Sequence, residues 1–358
     1  MHTDIHTIGH QKIGDQNRAH PPLFKVREQH KYGFINQQGQ VVIEPQYLTA
    51  EEFYNGFSRV QFNNKMIPLD SLGRLLMKRL YNYVGHFEEQ LARVQLVNLW
   101  GYIDQRGSEA IGVRFEEAAD FSEGLACVRE HSAYGFIDQQ GEWVVEPQLE
   151  KAAAFSGDLA AAASDSFWGY VNRQGEFVID ARFELCLPFQ NGLAAFVDDG
   201  MWGLIQNDGG ILLEPQFDLP QEGAFGEFYD DLALVCQQGL YGFIDRSGEM
   251  AIPAVFSGAG DFAEGLAPVE IRGRFGYINP KGEQVIEARF EEAGLFSNGR
   301  AAVLSDGQWG FIDATGQVCI PAVYEDVAPF HQGLAWVVQD GRWAYCNTEG
   351  QIVWQENK

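Results

Sequence analysis

One short phrase, written ten times, decides what this chain can fold into. It reads aromatic, Gly, aromatic, aliphatic, Asx, two free residues, Gly, as in Tyr134-Gly135-Phe136-Ile137-Asp138-Gln139-Gln140-Gly141 and Trp309-Gly310-Phe311-Ile312-Asp313-Ala314-Thr315-Gly316. The first Gly position falls at 33, 67, 101, 135, 169, 203, 242, 276, 310 and 344, a period of 34 residues with one step of 39. A unit this small cannot bury its apolar face alone, so copies stack on one another and share a continuous core.

Within the phrase, the Asx and the second Gly lie three apart, the pattern of a type I turn followed by Gly in the left-handed region. That turn Gly is kept in all ten copies, from Gly39 to Gly350, and the Asx in nine, with Gln206 the exception. Before the turn, residues alternate with period two, so Trp168 and Tyr170 share one face and Gly169 and Val171 the other. After it comes a β-prone run such as Val41-Val42-Ile43, ending near an aromatic such as Tyr47 or Phe115. A further strand begins at phrases like Phe121-Ser122-Glu123-Gly124-Leu125-Ala126-Cys127-Val128. About six residues later the next hairpin starts, a link short enough for antiparallel neighbours.

The expected fold is therefore all-β: ten tandem 34-residue three-stranded meanders. Residues 21–358 form the repeat domain and 1–20 a mobile tail. Both terminal copies are complete, whereas a propeller sealed by a shared blade leaves them incomplete in opposite senses. That favours an open, twisted β-solenoid, with a closed propeller-like ring as the alternative. Two irregularities stand out. The second hairpin has Met66-Ile67-Pro68 in place of aromatic-Gly-aromatic, and Lys65, Arg74, Lys78 and Arg79 make it the one basic patch. The single insertion, five residues long, lies within 218–227.

The net charge is -25 and the pI near 4.6, which argues against nucleic acid or an anionic membrane as partner, since phosphate contacts need clustered Lys and Arg. The acids concentrate in the nine connectors between copies, which hold fifteen Asp or Glu against one basic residue, Lys151. Stacked copies put equivalent connectors on one edge, so an acidic rim is expected. The insertion adds Asp218, Glu222 and Glu227 to that rim, beside Leu219 and Phe225 as an apolar tip. With Glu291, Glu292, Glu325 and Asp326, these residues are the candidate surface for a basic protein partner: charge steers association and a buried aromatic anchors it. The plain alternative is a soluble stack with a tolerated loop.

The phrases Trp-Gly or Tyr-Gly, Phe-Ile-Asp, the turn Gly, Val-Ile-Glu-Pro and Phe-x-x-Gly-Leu-Ala resemble the bacterial WG-repeat family, also called KWG repeats. The resemblance covers about Pro21 to Lys358, with Ile67 and Ala344 as departures. It implies an all-β repeat protein used for interaction, with no shared catalytic residues and no cofactor.

No phosphate loop, dinucleotide fingerprint, nucleophile elbow, zinc-protease motif or calcium loop is present in the sequence. Asp198-Asp199 and Asp230-Asp231 are carboxylate pairs open to acid and base work in a hydrolase, but they fall where turns want Asp. His2, His6 and His10 have metal-ligand spacing without a helical pattern to support it. The aromatic row at Tyr32, Trp100, Tyr134, Trp168, Trp202, Tyr241, Phe275, Trp309 and Trp343 offers a carbohydrate- or cell-surface-binding alternative. Packing between repeats is the simpler use for it. Five cysteines out of register with the repeat, no transmembrane run and no signal peptide point to the cytoplasm, with signal-independent secretion also open.

Overall fold

The computed structural model describes residues 21–220 and 225–357. The three imidazoles at 2, 6 and 10 and the loop residue Glu222 lie outside them. The described residues form ten antiparallel sheets and no helix. Each sheet is built from the strand that precedes the hairpin, opened by a Phe-x-x-Gly phrase in six copies, and the hairpin that follows. In sheet four these are Leu125–Glu130, Ala133–Asp138 and Trp143–Leu149. In six sheets the connector adds a fourth strand at the edge, such as Glu117–Ala118.

Both turns of the unit follow from local residue chemistry. The Asx-x-x-Gly turn closes as expected: Asp138 Oδ1 accepts from the N–H groups of Gln140 and Glu142, and Gly141 sits at φ +82°. All ten turn glycines have positive φ. At Gly175, φ +79°, a Cβ would also crowd the side chain of Val145 in the neighbouring sheet. Gly175→Val is therefore expected to cost well over about 1 kcal/mol, while Gln174→Val, one exposed residue away, leaves the melting temperature unchanged. Equal melting of the two variants would refute this turn. The other turn, between the first two long strands, is a two-residue loop with both residues left-handed, such as His131 (φ 52°) and Ser132 (φ 67°) between the paired residues Glu130 and Ala133. This is a type I′ turn, whose twist matches that of the flanking strands.

The Gly after the row aromatic has a cause the repeat pattern does not reveal. In eight sheets the last strand slips register opposite this residue: Trp168 pairs with Phe183 but Tyr170 with Ile179. The extra residues bulge across the middle strand, and a Cβ at Gly169 would fall closer than 3.0 Å to the backbone of Ile179, Asp180 and Ala181. The same holds at Gly33, Gly101, Gly135, Gly203, Gly242, Gly276 and Gly310. The two exceptions support the reason. Ala344 pairs regularly with Gln355 beside Tyr345 and Trp354, without that slip. Sheet two, with Ile67, keeps only the strands Phe57–Phe62 and Lys65–Asp70.

The core lies between sheets, in clusters that repeat. Leu159, Tyr170 and Ile179 of sheet five meet Ala194, Phe196 and Ile205 of sheet six. The Tyr170 hydroxyl donates to Leu187 O at 2.7 Å, as Tyr102 does to Ala119 O and Tyr277 to Gly294 O. The same positions join the last sheet to the first: Leu334, Tyr345 and Trp354 pack on Phe24, Val26 and Ile35. Tyr345 donates to Lys25 O at 2.9 Å, and its ring meets Phe24 edge-on at 5.6 Å. Arg27 grips Glu356 with two bonds of 2.8 and 3.0 Å and covers the Trp343 ring. Gln37 donates to Gln332 O and Asn357 to Glu28. Of the two arrangements the repeat allows, these contacts describe the propeller-like ring. The completeness of the terminal copies favoured the open form only on the premise that closure needs a shared sheet. Here two whole sheets close the ring face to face, with their side chains.

Candidate interaction surface

Several of the acidic connectors lie beside the left-handed turn that joins the first two long strands, and their carboxylates serve the fold there. The left-handed turn leaves backbone N–H groups pointing outward, and a connector carboxylate accepts them. Glu116 accepts from Ser132 N, Glu150 from Ser166 N, Glu184 from Gly200 N, Glu291 from Gly307 N and Glu325 from Gly341 N, each 16 residues on. Asp218 makes the same bond to Gly239 N, 21 residues on, because the five-residue insertion intervenes. Such charge-assisted bonds hold the turn in register.

The proposed site residues thus divide. Glu291 also pairs with Arg274 at 3.3 Å. Asp326 is half-buried and accepts from Val327 N. Glu292, in the short strand Glu292–Ala293, is exposed, and so is Glu325 apart from its turn bond. In the insertion, Glu227 accepts from the Tyr229 hydroxyl and, at 3.5 Å, from Gln190 Nε2. Leu219 is 40% exposed.

Phe225 is half-buried, with its ring 5.8 Å from that of Trp202 in the cluster that includes Phe217 and Ala233. Phe225→Ala is accordingly expected to lower stability by about 2 kcal/mol, less than a fully buried Phe, as read by chemical denaturation; unchanged stability would return this ring to the surface. The loop's exposed apolar residue is Leu219.

The aromatic row lies in the inter-sheet clefts. Every ring belongs to a cluster, and Trp202 and Trp309 are only 1% and 8% exposed. Arg93 stacks over Trp100 and Arg129 over Tyr134, which covers the half-exposed rings further. Of the carboxylate pairs, Asp230-Asp231 is engaged and Asp198-Asp199 is exposed at a turn. Asp199 sits in a type I′ turn at φ 49°, Asp230 accepts from Gly265 N, and Asp231 pairs with Arg246 at 2.6 Å. Among the described residues no three His, Cys, Asp or Glu side chains are placed to hold a metal, and no helix is long and apolar enough to cross a membrane. The five cysteines are unpaired; burial pushes the thiols of Cys127, Cys186 and Cys346 up to about 12.

The family model described as "WG containing repeat" matches at 32–65, 100–131, 134–165, 168–202, 202–241, 241–274, 275–309 and 309–343. The chain belongs to this WG-repeat family. The stretch left unmatched between 65 and 100 contains the broken outer strand of sheet two, so the family pattern and the ladder fail at the same place. No curated protein matches the WG-repeat chain. Among solved structures it is similar in fold to one titled "Crystal structure of the eukaryotic initiation factor", at 11% identity and TM-score 0.55, with 94% of this chain and 96% of that one covered. Weaker likenesses include BamB from Moraxella catarrhalis (12% identity, TM-score 0.35, 87% and 98% covered) and apo AztD from Citrobacter koseri (12%, 0.37, 84% and 92%).

Proposed function

We propose that this WG-repeat protein is a non-enzymatic scaffold that holds a basic protein partner, such as a toxin or effector, on its acidic connectors, in the cytoplasm. The observation that carries the reading is the recurrence of connector carboxylates beside the left-handed turns of successive sheets, with Glu292 and Glu325 exposed in a chain of net charge -25. A field of one sign over an extended surface raises the encounter rate with an opposite partner and fixes its orientation. The packing of the row aromatics into the inter-sheet clusters supports this reading over the carbohydrate alternative. The test uses a purified partner recovered from native lysate. Glu292→Lys with Glu325→Lys should weaken binding by about tenfold, and wild-type binding should fall steeply as salt rises. Binding indifferent to both changes would contradict the reading.

A further inference from the structure

Sheet two is where the repeat breaks, and the break changes the surface. Ile67 stands where eight sheets carry Gly and is 1% exposed, and a Cβ at that position would collide with the main-chain bulge of those eight sheets. The segment after the turn makes one bridge, Leu69 to Leu75, through the bonds Asp70 N to Arg74 O and Leu76 N to Pro68 O. It then leaves the ladder until Tyr81, 4% exposed, re-enters the core. On the way it lies against the turn of sheet three, with the backbone of Leu76 and Met77 beside Gly107 and Lys78 Nζ 2.7 Å from Ser108 Oγ.

That detour lifts a distinct set of side chains into solvent. Leu72 is 73% exposed and Leu80 47%, while the side chains of Arg74 and Arg79 are 70% and 55% exposed. Lys78 is exposed, and so is Arg106 on the turn beneath. The neighbouring carboxylates are partly used: Asp70 takes Arg74 Nε at 2.6 Å, Asp104 caps its own turn, and Glu109 lies 3.6 Å from an Arg79 nitrogen. Four cations thus face three acids in a chain whose acids outnumber its bases two to one.

We propose that this outer edge of sheets two and three docks an acidic, leucine-containing segment of a partner protein. Its carboxylates would lie on Arg74, Lys78, Arg79 and Arg106, and its apolar side chains between Leu72 and Leu80. Charge complementarity selects the occupant, because cations outnumber acids along this edge while acids outnumber bases two to one in the chain as a whole. Exposed leucines flanking three of the cations along the same segment favour a polypeptide over a nucleic acid, which is held through denser phosphate contacts. The site is independent of the acidic connectors, and it takes a partner of opposite charge.

The experiment is a fluorescence-anisotropy titration of the full chain with a labelled synthetic peptide that alternates Glu and Leu. A Lys and Leu peptide of equal length, a DNA duplex and phosphatidylserine-containing vesicles are run in parallel. The Glu and Leu peptide is expected to bind, to weaken with salt, and to lose about tenfold or more in affinity when Lys78→Glu and Arg79→Glu are combined, with a smaller loss in Leu80→Ser. Circular dichroism of these surface variants should match wild type. No binding of this peptide, binding unchanged by the charge reversal, or preference for DNA or vesicles would each overturn the proposal. The Lys and Leu peptide reports on the acidic connectors alone, so either surface can fail without the other.

Discussion

Gly169→Ala is expected to destabilise the protein by about 3 kcal/mol, although it adds one methyl group and leaves every hydrogen-bonding group in place. The methyl would have to occupy space held by the backbone of Ile179, Asp180 and Ala181. A main chain pinned by the flanking pairs Trp168 with Phe183 and Tyr170 with Ile179 cannot step aside as a side chain could. The control lies in the same molecule. Ala344 occupies the equivalent position in sheet ten, where the last strand pairs without that bulge, so Ala344→Gly should cost under about 1 kcal/mol, the conformational penalty of Gly in a strand. Urea unfolding of the two variants measures both values. Comparable small losses would mean that the bulge can relax and that the Gly serves some other purpose.

Tyr345→Ala is expected to cost about as much as Tyr170→Ala, in the range of 3–5 kcal/mol for removing a buried aromatic ring. Tyr170 lies between sheets five and six in the middle of the chain, so its burial is independent of closure. Tyr345 belongs to the last sheet, and it is 5% exposed because the first sheet covers it and receives its hydroxyl at Lys25 O. In an open stack the face of the last sheet would meet water, and losing this ring would cost little. A small effect at Tyr345 beside a large one at Tyr170 would therefore argue against the ring.

The sequence spoke clearly wherever one residue meets its own neighbours. Asn172 and Gly175 mark a turn because an Asx acceptor and a left-handed Gly are needed three positions apart, and the structure places both as expected. Where a residue answers to a distant strand, the pattern named the position without its reason. The repeat marks Gly169 as a fixed position, and only the fold shows that it makes room for main chain that bulges across it. In the sequence, Glu116 and Glu325 stand out only as connector charge, because their turn-capping bonds reach residues sixteen positions on, across a type I′ loop. A recurrent Glu opposite pairs such as Asp340-Gly341 was the available signal. Phe225 looked like a loop tip because insertions usually point outward, yet it found an apolar slot beside Trp202. Closure was the least legible, since the phase of a repeat says that first and last copies are whole and nothing about whether they touch.

The ring itself is tested most directly by the distance between its two terminal sheets. Gln37 and Gln332 are exposed, lie 295 residues apart in sequence and are joined by a hydrogen bond across the seam. Spin labels at Gln37→Cys and Gln332→Cys, with the half-buried Cys236 and Cys319 changed to Ser, report that separation by pulsed electron resonance in solution. The ring predicts one short, narrow distance that collapses into a broad long distribution only on unfolding. A long distance in the folded protein would contradict it.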